Sequence, residues 1–249
     1  MLKGSAHTPF NLRKRSVARR FSQGMSIVEL LVGVAIGLFI LAGASVLFVG
    51  NVTNSRRLLL ESRINQDLRA TMDLVTRDLR RGAYWGNALA GTLAVGSTSV
   101  TQPNPYAAVI ASASTTSGQI LYSYSRDPAE DNALDSTEVF GFRLTNGAVQ
   151  MCFGGSSSTT CTNWQTLTNT DIVTISAFAI TPTETSIDIR AACAKPCTDT
   201  LLAPSCPRVQ VRSYNIVLTG TSTTDSAVTR TLRSQVRVRN DAMAGSCPA

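Results

Sequence analysis

Residues 25–54 read MSIVELLVGVAIGLFILAGASVLFVGNVTN, and this stretch decides the fold. From Ile27 to Val52 the chain is almost entirely apolar or small, and it carries a single charge, Glu29. An apolar run of roughly 20 residues is long enough to span a bilayer as a helix. A secretory signal would carry a shorter apolar core of about 7 to 15 residues. The pattern therefore predicts a transmembrane helix over about residues 27–52.

The positive charge is concentrated ahead of the apolar run. The chain has a formal net charge of +7, to which residues 1–24 contribute six positive charges and no acid. The six cations are Lys3, Arg13, Lys14, Arg15, Arg19 and Arg20. Because basic residues favour the cytoplasmic side of a membrane, this leader is expected to stay in the cytoplasm. The rest of the chain is close to neutral, so its net charge does not indicate a nucleic-acid partner.

Residues 19–31, RRFSQGMSIVELL, join the basic leader to the apolar run. This segment resembles the prepilin processing site of type IV pilins and of type II secretion pseudopilins. The resemblance implies that a prepilin peptidase cuts after Gly24 and removes residues 1–24, and that Met25 becomes the N-methylated first residue. It also implies that Glu29 attracts the terminal amine of a neighbouring subunit during assembly. A carboxylate inside an apolar span is costly, which independently makes Glu29 a candidate functional residue. The alternative is that Glu29 only caps the helix.

The apolar run continues into an amphipathic helix. Apolar residues recur every three or four positions, which is the spacing of one helix face: Leu60, Ile64, Leu68, Met72, Val75 and Leu79. The other face is predicted to hold charges of both signs: Arg57, Glu61, Arg69, Asp73, Arg77, Asp78 and Arg80. No proline occurs between Met25 and Gln102. A single helix is therefore predicted over residues 25–81, with Gly82 as its stop signal.

Residues 82–249 are predicted to form a β-rich head, because Thr, Ser, Gly and alternating β-branched residues dominate there. The candidate strands are Gln119–Ser125, Glu138–Leu144, Ala148–Phe153, Asp171–Ile180, Thr185–Arg190, Arg208–Gly220 and Ala227–Asn240. The dipeptide Asn146-Gly147 favours a type I′ hairpin turn. The last two strands are predicted to form a long antiparallel hairpin. The sequence thus predicts an α+β fold with a mainly antiparallel sheet packed on the amphipathic part of the helix.

Three further segments carry a more specific resemblance. Residues 65–69, NQDLR, residues 77–86, RDLRRGAYWG, and residues 236–240, VRVRN, look like the PilW group of minor type IV pilins. The resemblance implies an inner-membrane subunit with its head in the periplasm, which later joins the pilus fibre at its tip and helps to initiate or cap it. The implied partners are other minor and major pilins through the N-terminal helix, the prepilin peptidase and the inner-membrane assembly machinery.

All six cysteines lie in the predicted head and are disulfide candidates: Cys152, Cys161, Cys193, Cys197, Cys206 and Cys247. An even number of cysteines in a loop-rich region indicates an oxidising compartment. Cys152 and Cys161 close a short loop and are predicted to pair, whereas the pairing of the other four stays open. A zinc site built on Cys193, Cys197 and Cys206 is the alternative.

Two other groups of residues suggest local functions. Acids crowd one loop and could hold calcium through their oxygens, although the spacing matches no EF-hand, so a solvated acidic loop is preferred. These acids are Asp127, Glu130, Asp131, Asp135 and Glu138. Tyr84 and Trp85 follow the helix and are predicted to wedge its end against the sheet, with a partner contact as the alternative.

Catalysis has little support in the sequence. His7 is the only histidine and lies in the leader, and the chain has neither a Gly-x-Ser-x-Gly elbow nor a phosphate-binding glycine loop. We therefore expect no enzyme activity, no cofactor, no metal and no nucleic-acid ligand. Two rival functions remain open: a minor pseudopilin of a type II secretion system, and a tip-exposed adhesive or DNA-uptake receptor.

Overall fold

The computed structural model describes residues 24–100, 102–112, 114, 117–198 and 206–248. The predicted basic leader lies outside the described residues, except for its last residue, Gly24. The chain divides into two compact units, Met1–Thr53 and Asn54–Ala249.

A single α-helix, α1, runs from Ile27 to Leu79 and contributes to both units. Its part in the first unit buries no side chain, and it is long and apolar enough to cross a membrane. Its part in the second unit buries the face that the apolar spacing predicts. After Leu60, every predicted side chain on that face is at most 6 % exposed: Ile64, Leu68, Met72, Val75 and Leu79.

The second unit, which we call the head, adds short and long strands to the helix. In chain order the described strands are β1 (Val109–Ala111), β2 (Gln119–Ser123), β3 (Val139–Thr145), β4 (Ala148–Phe153), β5 (Gly155–Ser157), β6 (Thr160–Cys161), β7 (Trp164–Thr166), β8 (Val173–Asp188), β9 (Arg208–Ser222), β10 (Thr229–Arg237) and β11 (Ala242–Ala244). Short 3₁₀ turns lie at Ala88–Gly91, Ser136–Glu138 and Arg190–Ala192.

The strands form two main sheets, whereas the sequence predicted one. The first sheet has the order β1-β2-β3-β4-β7, and neighbouring strands are antiparallel. In the second sheet β8, β10 and β11 each pair with β9 in antiparallel register. β5 and β6 form a separate two-stranded ribbon. The predicted hairpin at β3 and β4 is confirmed, since Asn146 and Gly147 have the positive φ values of 51° and 72° that a type I′ turn requires.

β8 differs from its prediction. The sequence suggested two strands, Asp171–Ile180 and Thr185–Arg190, but β8 runs without interruption through Pro182, which lies opposite Tyr214 on β9. Residues 181–188 are exposed and form the outer part of the strand, where proline is tolerated because an edge strand needs fewer ladder hydrogen bonds. The hairpin predicted for the last two strands is confirmed by the pairing of β9 with β10.

One hydrophobic cluster joins α1 to both sheets. Its helix side chains pack with residues such as Tyr122 and Phe142 of the first sheet and Ile216 and Leu218 of the second. Helix and sheet come close together at Gly220, where an added Cβ would lie 3.1 Å from Leu68 Cδ2 and 2.7 Å from Val173 Cγ2. The predicted α+β class, a long helix packed on mainly antiparallel strands, is confirmed.

The end of α1 is fixed by the last part of the chain. Arg239 N donates to Arg80 O at 3.1 Å, and the Asn240 side-chain amide donates to Gly82 O at 3.1 Å. The residue that leaves the helix with a left-handed backbone is Ala83, with φ 60°, and not the predicted Gly82. Gly82 is instead buried, and a Cβ there would lie 3.6 Å from the Tyr122 side chain.

Candidate functional site: the N-terminal apolar segment and the helix end

The helix begins immediately after the predicted processing site. Ser26 precedes the first helical residue and caps it, because its Oγ accepts from Val28 N at 3.3 Å and its carbonyl accepts from Leu30 N at 3.1 Å. Gly24 and Met25 lie outside regular secondary structure and are exposed. Both residues that flank the predicted cut are therefore accessible, as a peptidase substrate requires.

Glu29 lies in the first turn of α1 and is exposed. Among the described residues, no hydrogen bond or ion pair engages its carboxylate. The observed cap is Ser26 and not Glu29, which leaves the alternative of a purely capping role without a contact to support it. The positive end of the helix dipole nevertheless favours a negative charge in this first turn.

The apolar segment exposes side chains in every direction. Met25, Ile27, Phe39 and Val46 are 69 %, 80 %, 83 % and 73 % exposed. An added Cβ at Gly33, one of several glycines along this segment, would meet nothing within 4 Å. A helix that is apolar all round is stable only when lipid or other helices surround it. Since no side chain of this segment is buried in the described part of the chain, lipid or other helices have to surround it.

The opposite end of α1 contains a buried acid, Asp78, which the helical spacing predicted to lie on the exposed face. Asp78 is 7 % exposed, and its carboxylate accepts from the Tyr122 hydroxyl at 2.5 Å and from the Tyr124 hydroxyl at 3.3 Å. Arg81 Nη1 lies 3.5 Å from the same carboxylate. Burial, followed by the Asp78 charge, raises the pKa of Tyr124 to about 12. Burial likewise raises the pKa of Tyr122 well above its usual value.

The two aromatic residues after the helix, Tyr84 and Trp85, differ in burial. Trp85 is 3 % exposed, and its indole N–H donates to Asn132 Oδ1 at 3.1 Å. Tyr84 is 50 % exposed, so only Trp85 packs inside the head as the wedge hypothesis expects. Trp85 also lies against Gly91, where an added Cβ would come 2.8 Å from its ring.

The acidic loop uses its carboxylates for its own backbone. Glu138 is fully buried and accepts from Arg126 N at 2.7 Å and from Asp135 N at 3.0 Å. Glu130 accepts from Gly86 N at 3.0 Å and from Asn132 N at 2.9 Å.

Three carboxylates of this loop lie close enough together to bind one metal ion. Asp127, Asp135 and Glu138 bring one oxygen each within 4.8 Å of one another. Burial and then the neighbouring carboxylates raise the pKa of Asp127. Since the buried member, Glu138, already accepts from two backbone amides, the arrangement does not by itself favour calcium.

The cysteines form three bridges. Cys152 is bonded to Cys161, Cys193 to Cys247, and Cys197 to Cys206. All six cysteines are therefore oxidised, and none offers the thiolate that a zinc site needs. The Cys193–Cys247 bridge attaches the C-terminal segment to the loop after β8. Cys247 N also donates at 2.8 Å to the carbonyl of Thr98, which lies in the segment before β1.

These features define a class of protein. A helix whose first part is apolar on all sides, and whose second part is buried under antiparallel sheets, is the layout of a pilin-like protein with a membrane-anchoring helix. The family model for prepilin peptidase-dependent protein B matches residues 57–238. Because this match covers about three quarters of the 249 residues, the chain belongs to the prepilin peptidase-dependent protein B family.

The family match begins after the apolar segment and so does not include Gly24, Met25 or Glu29. The match to the head and the sequence of the processing site are therefore two separate indications of a pilus-related protein. No match was found among curated proteins or among solved structures.

Proposed function

We propose that the chain is a minor pilin of the PilW group, which is cut after Gly24, methylated at Met25 and assembled into a type IV pilus. In this proposal the subunit first sits in the inner membrane with its head in the periplasm. It then joins other minor pilins and the major pilin through its N-terminal helix, and it helps to initiate or cap the fibre at its tip. The role is structural and not enzymatic.

One observation carries the proposal. The exposed apolar part of α1 begins with an acid that has no partner within the described chain, directly after an accessible Gly24-Met25 bond. Lipid can surround the apolar side chains before assembly, and neighbouring helices can replace it afterwards. An unpartnered carboxylate in such an environment is costly, so a cation from a neighbouring subunit, such as its terminal amine, would stabilise the assembled state.

The cleavage step can be tested with a matched pair of glycine variants. Gly24→Ala should leave the precursor uncut in cells that contain a prepilin peptidase, whereas Gly33→Ala should be processed normally. An added Cβ meets nothing within 4 Å at either position, so neither change disturbs packing in the chain. Mass spectrometry of the purified protein gives the N-terminus directly. A mature Gly24→Ala protein, or a wild-type protein that still begins at Met1, would contradict the proposal.

The assembly step can be tested at Glu29. Glu29→Gln should lower the amount of subunit in sheared fibres at least several-fold while its amount in the membrane fraction stays the same. Asp73→Asn removes an exposed carboxylate from the same helix and should leave both fractions unchanged. Equal recovery of both variants in fibres would show that Glu29 is not an assembly residue.

A deletion strain distinguishes a type IV pilus subunit from a type II secretion subunit. Deletion of the chain should reduce surface pili and leave the export of secreted enzymes intact. Normal piliation with lost secretion would assign the chain to a type II secretion system instead.

A further inference from the structure

Arginines from two distant parts of the chain meet at the end of α1. Arg77, Arg80 and Arg81 come from the last turn of the helix and the residues after it, and Arg237 and Arg239 come from the end of β10 and the residues that follow. All five side chains are exposed. They line two adjoining cavities of about 460 and 500 Å³, which share Arg80 and Arg239. We call this surface the arginine cleft.

The cleft has more cations than counterions. Arg81 pairs with Asp78 at 3.5 Å, and Arg237 pairs with Asp241 at 3.0 Å. Within the described part of the chain, Arg77, Arg80 and Arg239 form no ion pair. The C-terminal end of the helix dipole favours cations in its last turn, which accounts for Arg77 and Arg80. The dipole does not account for Arg239, which the segment after β10 brings to the same place.

The backbone holds these cations in position. Arg239 N donates to Arg80 O, and the Asn240 amide donates to Gly82 O, so the two segments cannot separate to relieve the repulsion without losing hydrogen bonds. Ser125 N donates to Tyr84 O at 2.9 Å, which fixes the wall where the half-exposed Tyr84 lies. The backbone of the cleft is therefore preorganised, and an anion that enters it has to order only the arginine side chains.

We propose that the arginine cleft binds an acidic segment of a partner protein. The cleft contains arginine and no lysine, and the planar guanidinium group matches carboxylates in a two-point geometry. Arginine and tyrosine are also the residues that most often dominate binding at protein interfaces. The cleft lies in the head alone, so this proposal holds for whichever fibre the subunit joins.

A nucleic acid fits the surroundings less well. Ser125 lines the cleft, and the acidic loop begins two residues later at Asp127 and continues through Asp131 and Asp135. A long polyanion needs an extended basic track, and on the side of Ser125 the chain continues into carboxylates instead. A short peptide segment can place two or three carboxylates in the cleft without doing so.

The test uses the full-length chain in a non-ionic detergent and a fluorescein-labelled hexaglutamate peptide as the probe. Peptide binding, followed by fluorescence anisotropy at low salt, should weaken at least tenfold in the variant Arg77→Gln/Arg80→Gln/Arg239→Gln. The matched control, Arg63→Gln/Arg69→Gln/Arg233→Gln, removes the same charge from exposed arginines elsewhere in the head and should bind within twofold of wild type. Both variants keep all cations of the N-terminal leader.

Competition identifies the occupant. The competitors are unlabelled hexaglutamate, a 12-nucleotide single-stranded DNA and inorganic phosphate, compared at equal total concentration of negative charge. Under these conditions the DNA and the phosphate should displace less labelled peptide than hexaglutamate does. Stronger displacement by DNA would make the cleft a nucleic-acid site, and equal displacement by phosphate would make it a site for small free anions. Equal loss of binding in the two triple variants, or no binding to wild type, would also overturn the proposal.

Discussion

The two parts of α1 belong to one continuous helix but find their partners in different places. In residues 27–53 no side chain is buried, and the sequence is apolar on every side. In residues 54–79 one face is buried under the sheets of the head and the other carries charges. An amphipathic pattern indicates a partner within the chain, whereas an apolar pattern without a polar face indicates a partner outside it.

Charged residues differ between the two parts as well. The first part has Glu29 alone, without a partner among the described residues. The second part pairs with the β9–β10 hairpin of the head: Arg57 Nε lies 3.1 Å from Oδ2 of Asp225 in the loop between these strands, and Glu61 pairs with Arg230 of β10. Such exposed pairs contribute little to stability because water screens them, so they help to set the register of the helix on the head more than they hold it there. The apolar face must supply most of the binding of the helix to the head.

The largest expected effect comes from making the same substitution in both parts. Leu68 is fully buried, and Leu68→Ala should lower the free energy of unfolding of the head by about 3 to 5 kcal/mol, because it leaves a cavity between helix and sheets. Leu38 is 60 % exposed, and Leu38→Ala should change it by less than about 0.5 kcal/mol. Both tryptophans, Trp85 and Trp164, lie in the head, so their fluorescence during urea unfolding in detergent reports on the head alone. Similar losses in the two variants would mean that the first part of the helix also packs on the head.

A second, smaller effect compares two acids within the amphipathic part. Asp78→Ala should destabilise the head by about 2 to 3 kcal/mol, since it leaves the buried hydroxyl of Tyr122 without an acceptor and Arg81 without its ion pair. Asp73 is exposed, and Asp73→Ala should stay within about 0.5 kcal/mol of wild type.

A spectroscopic measurement checks the cause of this effect. Because the Asp78 charge helps to raise the pKa of Tyr124, absorbance at alkaline pH should show that tyrosine ionising at lower pH in Asp78→Ala than in wild type. An unchanged titration would show that Asp78 and Tyr124 do not interact as the structure indicates.

Periodic and local signals predicted much of this fold from the sequence. The spacing of Leu68, Val75 and Leu79 identified the buried face of α1, and Asn146-Gly147 identified the β3–β4 hairpin, because each pattern depends on residues that are close in the chain. The roles of Gly24, Met25 and Glu29 remain predictions.

Features that depend on distant residues were not predictable in this way. The helical spacing predicts an exposed Asp78, because the two tyrosines that donate to its buried carboxylate are distant in the chain. They come from β2 and the residue after it. The arginine cleft was missed for a similar reason. The head is close to neutral on average, and only the fold brings Arg80 and Arg239 together.

The smallest expected effect concerns the acidic loop and appears only as a pH dependence. Burial opposes ionisation of Glu130, but the nearby Ser125 side chain and hydrogen bonds from the backbone amides of Asn132 and Gly86 and from the Tyr106 hydroxyl together hold its pKa below the usual 4.5. A carboxyl whose pKa is lowered by folding stabilises the folded state above its unfolded pKa, and this contribution disappears as the pH falls through the lower folded pKa. Glu130→Gln should therefore be less stable than wild type above about pH 5, and the difference should shrink as the pH falls below 4.5. Urea unfolding of both proteins between pH 3 and pH 7 measures this difference, and parallel curves over the whole range would show that the charge of Glu130 does not stabilise the loop.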